Sequence, residues 1–443
     1  GAAYVCSLKN YRARSALYEA ARAFGISPEE ARTMSKRVPM FAEPDYLRQM
    51  PPQAGCLDIW KLASELDGVF AEISLHVGGV ILTPAPVDRY LPLEKSAKGL
   101  LMCHYDRDTV EELQLIKLDL LSTRGLTAIA ETRKTLHLEY LPPADRQTFT
   151  LLREAKTIGC FQVESPAMMN LLRRMKPENL DDLIHALALI RPGPTESGMK
   201  EAFLRRREGR ASPSDPLLAK ILPETGGLMF YEEQVMQVAE RVAGFPPEEG
   251  ELLRRQLKKR RVDEALRRKF FDRAESRGYA QAEIQELWQK MEKFSAYSFN
   301  RAHSASYALM AYEAVYLKAH YPLVYMVAVL NAAGGYYQLP EYIEEAKRLG
   351  LTILGPDVNR SGYRFEVEGK AIRVGLGSIK NLTARSLEKI INERERDGVY
   401  LSVEDFLGRV KPGQSDLLAL IQAGALDSLE PNRSQQVLHY FHG

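Results

Sequence analysis

Apolar and polar positions along this chain repeat with two different periods, and these periods predict its main elements. Residues 11–75 show the spacing of amphipathic helices, in which apolar side chains recur three or four positions apart. One such stretch at 14–24 is closed by Gly25, and residues 27–30 (Ser-Pro-Glu-Glu) carry the start signals of a second helix. We therefore expect the amino-terminal region to be helical.

Two short runs have the composition of strands instead. Residues 79–82 and 115–120 are apolar, partly β-branched, and bounded by glycine or polar sequence. Helical periodicity then dominates residues 128–335. The remainder predicts a helix at 339–349, extended segments at 352–354, 363–367 and 371–374, and further helices. The whole pattern predicts an α+β fold that is mostly helical.

Length and composition narrow the class of protein. A chain of 443 residues is long enough for two to four domains, and 60 basic against 58 acidic residues leave no overall charge that would indicate a partner. No apolar run approaches the length that spans a bilayer, so we expect no membrane partner. The four cysteines lack the spacing of a zinc site or a disulfide framework, which favours the reducing cytoplasm: Cys6, Cys56, Cys103 and Cys160.

Positive charge is concentrated in one stretch. Between residues 251 and 273, ten Lys or Arg side chains stand against four acidic ones. Such density attracts a phosphate backbone through counterion release, although a solvated helix face is the alternative. The candidate DNA contacts in this stretch are Arg254, Arg255, Lys258, Lys259, Arg260 and Arg261.

Candidate anion chemistry is concentrated in residues 293–307. Asn300, Arg301, His303 and Ser304 supply an amide, a cation, an imidazole and a hydroxyl just before an apolar helical run. Backbone N–H groups and the helix dipole favour phosphate at such a position. A capped core helix with a satisfied histidine is the alternative.

Three further charged residues lie in constrained backbone. Asp119 sits in an apolar run of strand character, where it either pairs with a cation such as Lys117 or faces a cleft as a ligand of a hard cation such as Mg²⁺. Arg191 precedes Pro-Gly-Pro, a segment that fixes the backbone and positions a guanidinium for phosphate. A buried pair with a helix carboxylate is the alternative for Arg191.

Six sequence blocks, in order, resemble those of the bacterial DNA polymerase III alpha subunit, the C-family DNA polymerase. They are 76–80 (His-Val-Gly-Gly-Val), 117–121 (Lys-Leu-Asp-Leu-Leu), 159–165 (Gly-Cys-Phe-Gln-Val-Glu-Ser), 190–194 (Ile-Arg-Pro-Gly-Pro), 231–236 (Tyr-Glu-Glu-Gln-Val-Met) and 299–309 (Phe-Asn-Arg-Ala-His-Ser-Ala-Ser-Tyr-Ala-Leu). The acidic pair at 232–233 is in itself typical of a helix start. The blocks resemble replicative subunits and error-prone paralogues about equally well.

The resemblance implies four regions. They are a thumb at 1–75, a partial palm with the catalytic strand at 76–127, fingers at 128–335 and a helix-hairpin-helix DNA-binding region at 336–443. The family carries two further metal-binding aspartates in an upstream palm strand, which this sequence does not match. Its phosphoesterase-like domain and carboxyl-terminal domains are likewise unmatched, so we expect a fragment of a longer protein.

The resemblance also implies residue roles. Asp119 is the expected Mg²⁺ ligand of a two-metal site, with Lys117 as its catalytic neighbour at the primer terminus. The expected triphosphate contacts are Arg191, Asn300, Arg301, His303 and Ser304. The expected DNA contacts are His76, the six basic residues at 254–261 named above, Lys380, and Gly375 and Gly377 in a Gly-Leu-Gly loop that resembles a helix-hairpin-helix turn.

The implied reaction is addition of deoxynucleotides to a primer 3′ end. Its substrates are primer-template DNA and deoxynucleoside triphosphates, and a sliding clamp and other replisome or mutasome subunits are the expected partners of the longer parent. Because Asp119 alone of the three expected aspartates is present, we expect this chain by itself to be inactive. Two other interpretations are a non-catalytic DNA-binding or scaffold protein of the same fold, and one half of a split polymerase.

Overall fold

The computed structural model describes residues 1–39, 42, 46–49, 56–121, 123–191, 198–212, 215–259, 261–295 and 299–442. It divides the chain into two compact units, Gly1–Ser122 and Thr123–Gly443. Parts of the expected sites lie outside the described residues: Arg260, the Pro-Gly-Pro segment at 192–194, and residues 296–298.

The first unit consists of a β-sheet and short helices. Its strands are β1 (Ala2–Asn10), β2 (Phe70–Leu82), β3 (Leu93–Lys95), β4 (Leu101–Cys103) and β5 (Ile116–Asp119), and its helices are α1 (Ala13–Ala23), α2 (Pro28–Lys36), α3 (Tyr46–Gln49), α4 (Leu57–Leu66) and α5 (Arg107–Glu112). The strand order is β3-β4-β1-β2-β5. Strand β5 therefore lies at an edge of this sheet, where it pairs with β2 in antiparallel fashion.

Strands β2 and β5 confirm the two strands predicted from sequence. The helix prediction for residues 11–75 is wrong at its end, because α4 ends at Leu66 and β2 begins at Phe70. Residues 72–77 alternate polar and apolar side chains, which is the period of a half-buried strand. Strand β1, which the sequence analysis did not predict, pairs with β2 along nearly its whole length.

The ladder between β1 and β2 contains a bulge. Residues 76–79 of β2 lie opposite the single residue Val5 of β1. Bulges bend a strand and are common beside functional sites, where they redirect side chains. On the other side of β2, the last residue of this bulge pairs with Asp119 of β5. The bulge thus lies next to the strand that carries the expected catalytic residues.

The second unit is predominantly helical. Its helices are α6 (Arg124–Leu136), α7 (Arg146–Glu154), α8 (Pro166–Met175), α9 (Leu180–Leu189), α10 (Met199–Arg207), α11 (Pro216–Ile221), α12 (Glu232–Ala243), α13 (Pro247–Lys258), α14 (Glu264–Ser276), α15 (Gln281–Ser295), α16 (Arg301–His320), α17 (Pro322–Ala332), α18 (Leu339–Arg348), α19 (Ala384–Asp397), α20 (Val403–Val410), α21 (Gln414–Ala423) and α22 (Arg433–His442). A small sheet of order β6-β8-β7 contains β6 (Thr352–Leu354), β7 (Glu366–Glu368) and β8 (Ala371–Arg373). The predicted α+β, mostly helical class is confirmed.

Helix α16 is central to the packing of the second unit. Asn300 caps it by accepting a hydrogen bond from the backbone N–H of His303 at 3.0 Å. Along the helix, small or β-branched side chains such as Ala308, Ala311 and Val315 are fully buried, so neighbouring helices approach closely. None of the described helices combines the length and apolar composition that crossing a membrane requires. The four cysteines are free thiols.

A buried cation ties α16 to its surroundings. Lys318 is 1% exposed, and its Nζ donates to Glu345 Oε1 at 2.6 Å and to the carbonyl oxygens of Lys156 and Ile158 at 3.0 and 2.7 Å. These three acceptors satisfy the three N–H bonds of the ammonium. The pair therefore joins α16 to α18 and to the segment after α7.

Replacing Lys318 by Met should destabilise the second unit by about 3 kcal/mol, because the buried Glu345 loses its 2.6 Å partner and keeps the exposed Arg348, at 3.6 Å, as its remaining cation among the described residues. Urea unfolding followed by circular dichroism measures this loss. Lys347→Met is the matched control, since the exposed Lys347 pairs only with an exposed Glu344, and it should cost less than about 1 kcal/mol. Equal effects of the two variants would contradict the structural role of Lys318.

Candidate functional site

Asp119 and Lys117 form an ion pair on one face of β5. The Lys117 Nζ donates to both carboxylate oxygens of Asp119, at 2.9 and 2.8 Å. The Asp119 side chain is 51% exposed, whereas that of Lys117 is 10% exposed. The hydrogen bond from Lys117 is the largest influence on the pKa of Asp119 and lowers it. The carboxylate therefore stays ionised and accessible.

His76 lies in the bulge beside this pair. Its Nδ1 accepts hydrogen bonds from the backbone N–H groups of Gly79 at 2.8 Å and Gly78 at 3.3 Å, and its charge contributes to the lowered pKa of Asp119. A Cβ atom at Gly78 would lie 2.6 Å from the Leu121 side chain, so only glycine permits this approach of the bulge to the end of β5. The structure thus brings His76, Lys117 and Asp119 together within the first unit.

The residues around Asp119 do not complete a metal site. Across the described ranges, no group of three or more His, Cys, Asp or Glu side chains is arranged to hold a metal ion. Asp106 instead caps α5 by accepting from Thr109 N at 3.0 Å, and Asp108 accepts from Arg107 at 2.9 Å. Carboxylate oxygens are hard ligands of the kind that Mg²⁺ prefers. At the end of β5, the described residues of the first unit supply one such carboxylate that is exposed to solvent, Asp119.

A second cluster lies at the start of α16 in the other unit. The Arg191 guanidinium stacks over the Phe299 ring at 3.9 Å, and the His303 ring packs edge-on against Phe299 with 5.2 Å between centroids. Tyr307 packs against His303 at 4.5 Å. Burial lowers the pKa of Arg191, and its buried Nη1 has no hydrogen-bond partner among the described residues. A bound anion would supply the missing acceptor.

Acidic side chains hold the backbone at this helix start. Both carboxylate oxygens of Glu233 accept from the backbone N–H of Arg301, at 3.0 and 3.1 Å. The Arg301 guanidinium contacts Asp181 at 3.3 Å and lies 5.6 Å from the centre of the Tyr231 ring. The residue is thus anchored through its backbone while its side chain remains 41% exposed.

Glu232 links this helix start to the basic helix α13. Its Oε2 accepts from Arg254 Nη1 at 2.5 Å and from Lys258 Nζ at 2.9 Å. Burial opposes ionisation of Glu232, but the Lys258 hydrogen bond, the charges of Arg254 and Lys258, and a hydrogen bond from the Asn300 side chain outweigh it and lower the pKa. Glu232 is therefore a charged residue shared by the two predicted binding elements.

The predicted basic residues of the 254–261 stretch differ in accessibility. Arg254 is 18% exposed and is held by two carboxylates, Glu232 and Glu251. Arg255 and Lys258 are 68% and 55% exposed, and Lys259 and Arg261 are exposed as well. The exposed cations form a surface that a phosphate backbone can reach.

Ser304 lies at the buried side of the helix start. It is fully buried, and its Oγ has no hydrogen-bond partner among the described residues. The same holds for the Nε2 atom of His185 and the hydroxyl of Tyr231, two side chains whose rings lie 6.0 Å apart. Ser304 is thus separated from the exposed part of the cluster, although its expected role is a triphosphate contact.

The turn before α19 is built differently from the Gly-Leu-Gly expectation. Gly375 is buried against the backbone of Arg364, and Gly377 N donates to the Tyr363 carbonyl at 2.9 Å. The left-handed residue is Asn381, with φ +68°, which follows the exposed Lys380 and precedes the helix cap Thr383. Asn tolerates the left-handed conformation. The glycines at 375 and 377 therefore point to a position a few residues before the turn that the structure forms at Asn381.

The substitution Glu232→Gln should remove a charge that stabilises the fold. Because the pKa of Glu232 is lowered in the fold, its contribution is present above pH 4.5, the ordinary value, and is lost as pH falls below it. Glu232→Gln should therefore lower stability by about 2 kcal/mol at pH 7, and the difference from the unsubstituted chain should shrink at pH 3.

Thermal unfolding at both pH values measures this difference. Glu240→Gln, which alters an exposed carboxylate on the same helix, is the control and should change little at either pH. A Glu232→Gln effect that is the same size at pH 3 and pH 7 would show that ionisation of Glu232 plays no part.

Three family models match the chain. The bacterial DNA polymerase III alpha NTPase domain covers residues 1–122, the bacterial DNA polymerase III alpha subunit finger domain covers 119–278, and a helix-hairpin-helix motif covers 350–436. The first two models include the His76–Lys117–Asp119 group and Arg191, respectively.

Curated relatives agree with these models. The DNA polymerase III subunit alpha of Thermus aquaticus is 36% identical over 94% of this chain and 37% of its own length. That of Bacillus subtilis is 34% identical over 98% of this chain and 41% of its own length, and the error-prone DNA polymerase of Bdellovibrio bacteriovorus is 34% identical over 97% and 43%. The chain thus spans well under half of these relatives. It belongs to the bacterial DNA polymerase III alpha family, which includes error-prone DNA polymerases.

Proposed function

We propose that this chain is the thumb, partial palm, fingers and helix-hairpin-helix portion of a DNA-directed DNA polymerase that adds deoxynucleotides to a primer 3′ end. The observation that carries this proposal is the cluster at the start of α16, where the Arg191 guanidinium, whose buried Nη1 has no partner among the described residues, lies beside an exposed helix start. The error-prone and replicative relatives support the reaction class equally. We propose the bacterial cytoplasm as its location, because the proposed DNA substrate lies there.

The cluster has the chemistry of a triphosphate pocket. Arg191 and Arg301 supply two guanidiniums, and His303 adds an imidazole whose orientation is fixed between Phe299 and Tyr307. Guanidiniums bind phosphate oxygens through paired hydrogen bonds, and a helix start adds favourable backbone dipoles. Asn300 acts as the cap that holds this geometry, and Ser304 supports it from the buried side.

Asp119 is the proposed metal ligand of the palm. Two-metal phosphoryl transfer requires several carboxylates around Mg²⁺, because the ions stabilise the attacking and leaving oxygens. The described residues supply Asp119 alone for this purpose, and Lys117 neutralises it. They do not form the complete site, so we propose that this chain alone does not extend a primer.

Duplex DNA is the proposed partner of two surfaces. One is the exposed part of the 254–261 stretch, and the other is the turn that contains Lys380 and Asn381 at the start of α19. Asp416 holds this turn by accepting from Thr383 N at 2.7 Å and from Ser386 Oγ at 2.6 Å. Both surfaces present exposed cations, and contacts from cations to phosphates carry no sequence information, so we propose binding that is independent of sequence. For the longer parent protein, the proposed partners are a sliding clamp and other replisome or mutasome subunits.

The second candidate is a non-catalytic DNA-binding protein of the same fold. The observation that favours it is the ion pair of Asp119, which already satisfies the carboxylate with Lys117. On this alternative, both DNA surfaces act without chemistry at β5.

Primer extension separates the two candidates. With Mg²⁺ and the four deoxynucleotides, the chain alone should give no extension, whereas the chain joined to an upstream palm strand of the kind that the family resemblance implies should extend the primer. In the joined protein, Asp119→Asn should reduce extension below detection, because a metal ligand is lost. Asp108→Asn is the control and should retain activity.

Duplex affinity and the midpoint of thermal unfolding should be measured on the same proteins. Asp119→Asn should leave both within about twofold and a few degrees of the parent, since the side chain is half exposed. Extension by the rigorously purified chain alone would contradict the proposed inactivity. No extension by the joined protein, with DNA binding intact, would favour the non-catalytic alternative.

Salt dependence tests the duplex surface at α19. Lys380→Ala should weaken binding of a random-sequence duplex and make the slope of log affinity against log salt shallower by about 1, because one phosphate contact is lost. Fluorescence anisotropy between low and moderate salt measures the slope. Lys370→Ala, an exposed lysine between β7 and β8, should leave it unchanged. An unchanged slope for Lys380→Ala would remove this turn from the proposed interface.

A further inference from the structure

Two neighbouring acidic side chains at the start of α9 have different surroundings. Asp182 is 6% exposed, and its carboxylate accepts hydrogen bonds from both terminal nitrogens of Arg207, at 2.5 and 2.8 Å. Asp181 is 66% exposed, and its carboxylate has one partner among the described residues, Arg301. Asn179 caps the helix by accepting from Asp182 N at 3.0 Å. The start of α9 is therefore held without help from the Asp181 side chain.

The contact between Asp181 and Arg301 is loose. A single nitrogen of the guanidinium, Nη2, lies 3.3 Å from a single carboxylate oxygen, and both side chains are in reach of solvent. Within the described part of the chain, the other N–H groups of this guanidinium make no hydrogen bond. An exposed pair of this geometry is weak. A phosphate group, which accepts paired hydrogen bonds from a guanidinium, is a stronger partner for the same cation.

The side chain of Arg301 can change partner while its main chain stays in place. Its backbone N–H donates to both carboxylate oxygens of Glu233, which fixes the first residue of α16. The guanidinium lies 5.6 Å from the centre of the Tyr231 ring, and this ring is 1% exposed and therefore fixed by packing. Cations are attracted to the faces of aromatic rings. The ring thus provides a constant support under a guanidinium that is otherwise held by one carboxylate.

The contact with Asp181 draws Arg301 away from the second guanidinium of the proposed triphosphate pocket. Asp181 lies in the first turn of α9, and Arg191 follows the end of the same helix. An α-helix rises 1.5 Å per residue, so the two ends of α9 are about 13 Å apart. Release of Arg301 by Asp181 would allow the guanidinium to turn towards Arg191, where both could bind one chain of phosphates.

We propose that Asp181 is a positioning residue of the triphosphate pocket, which holds the Arg301 guanidinium before the substrate binds and gives it up to a phosphate group. The inference rests on the proposed function, because the exchange requires a triphosphate as the incoming anion. Asp181 competes with that anion and so lowers the affinity for it. Loss of the Asp181 charge should therefore strengthen binding, which is the opposite of the effect expected from losing a ligand contact.

Anisotropy of a fluorescent deoxyadenosine triphosphate with Mg²⁺, titrated with the full 443-residue chain, measures this competition. Asp181→Asn should tighten binding about threefold, because the competing carboxylate is lost. Asp181→Glu keeps the charge and should stay close to the unsubstituted chain. Glu178→Gln is the matched control, since it removes an exposed carboxylate three positions earlier that does not contact Arg301, and it should change the affinity little.

A double substitution separates the exchange from effects on folding. Arg301→Gln should weaken triphosphate binding about tenfold, because a charged donor is lost. In that background, Asp181→Asn should have no further effect, since the cation for which it competes is absent. A merely structural role of Asp181 would lower the midpoint of thermal unfolding and would give no gain in affinity in either background.

The possible failures have different consequences for the pocket. If Arg301→Gln weakens binding but Asp181→Asn leaves it unchanged or weaker, the exchange is wrong and the triphosphate pocket stands. An equal gain from Glu178→Gln and Asp181→Asn would likewise contradict the exchange, because net charge alone would explain it. If the unsubstituted chain and all variants fail to bind the triphosphate, the proposed pocket is wrong and the role of Asp181 is wrong with it.

Discussion

The second unit depends on a carboxylate that holds a backbone rather than a side chain. Glu233 binds the N–H of Arg301 and so fixes where α16 begins. Because the anchor uses the main chain, the Arg301 guanidinium stays available, and the adjacent Glu232 adds the link to α13. These two acidic residues at the first turn of α12 hold the backbone at the start of α16, on which the Asn300 cap and the packing of His303 between Phe299 and Tyr307 build.

Local signals in the sequence accounted for the helices and for strands β2 and β5, because capping residues and apolar spacing act over a few positions. Within the α16 cluster, Phe299, His303 and Tyr307 stand in one contiguous block, so their proximity could be predicted, whereas Arg191 comes from a distant segment and meets Phe299 only through the fold. Their support could not, since Glu233 lies 68 positions from Arg301 along the chain. The burial of Ser304 depends on which side of α16 packs against the other helices, and no local signal in the sequence decides that.

The surroundings of Asp119 could be predicted in part from the sequence. Strand periodicity places Lys117 and Asp119 on the same face, and the structure realises that proximity as an ion pair with both oxygens engaged. Such an ion pair neutralises the charge of the carboxylate when no metal is bound, and it does so without burying the carboxylate. Its half-exposed oxygens remain reachable by a cation that arrives with further ligands.

The bulge in β2 changes which positions of that strand share a face. Four residues, 76–79, stand opposite the single Val5, so at this bulge β2 carries three surplus residues relative to β1. In a regular strand, side chains an odd number of positions apart lie on opposite faces of the sheet. Leu75 and Val80 are five positions apart, yet they pair with Cys6 and Tyr4, which lie on the same face of β1. Odd-numbered residues of β2 therefore face one side of the sheet before the bulge and the other side after it. Because Gly79 of the bulge is itself the partner of Asp119, an insertion or deletion between Gly79 and Leu82 would shift the pairing register of β5 and so move Asp119 relative to His76.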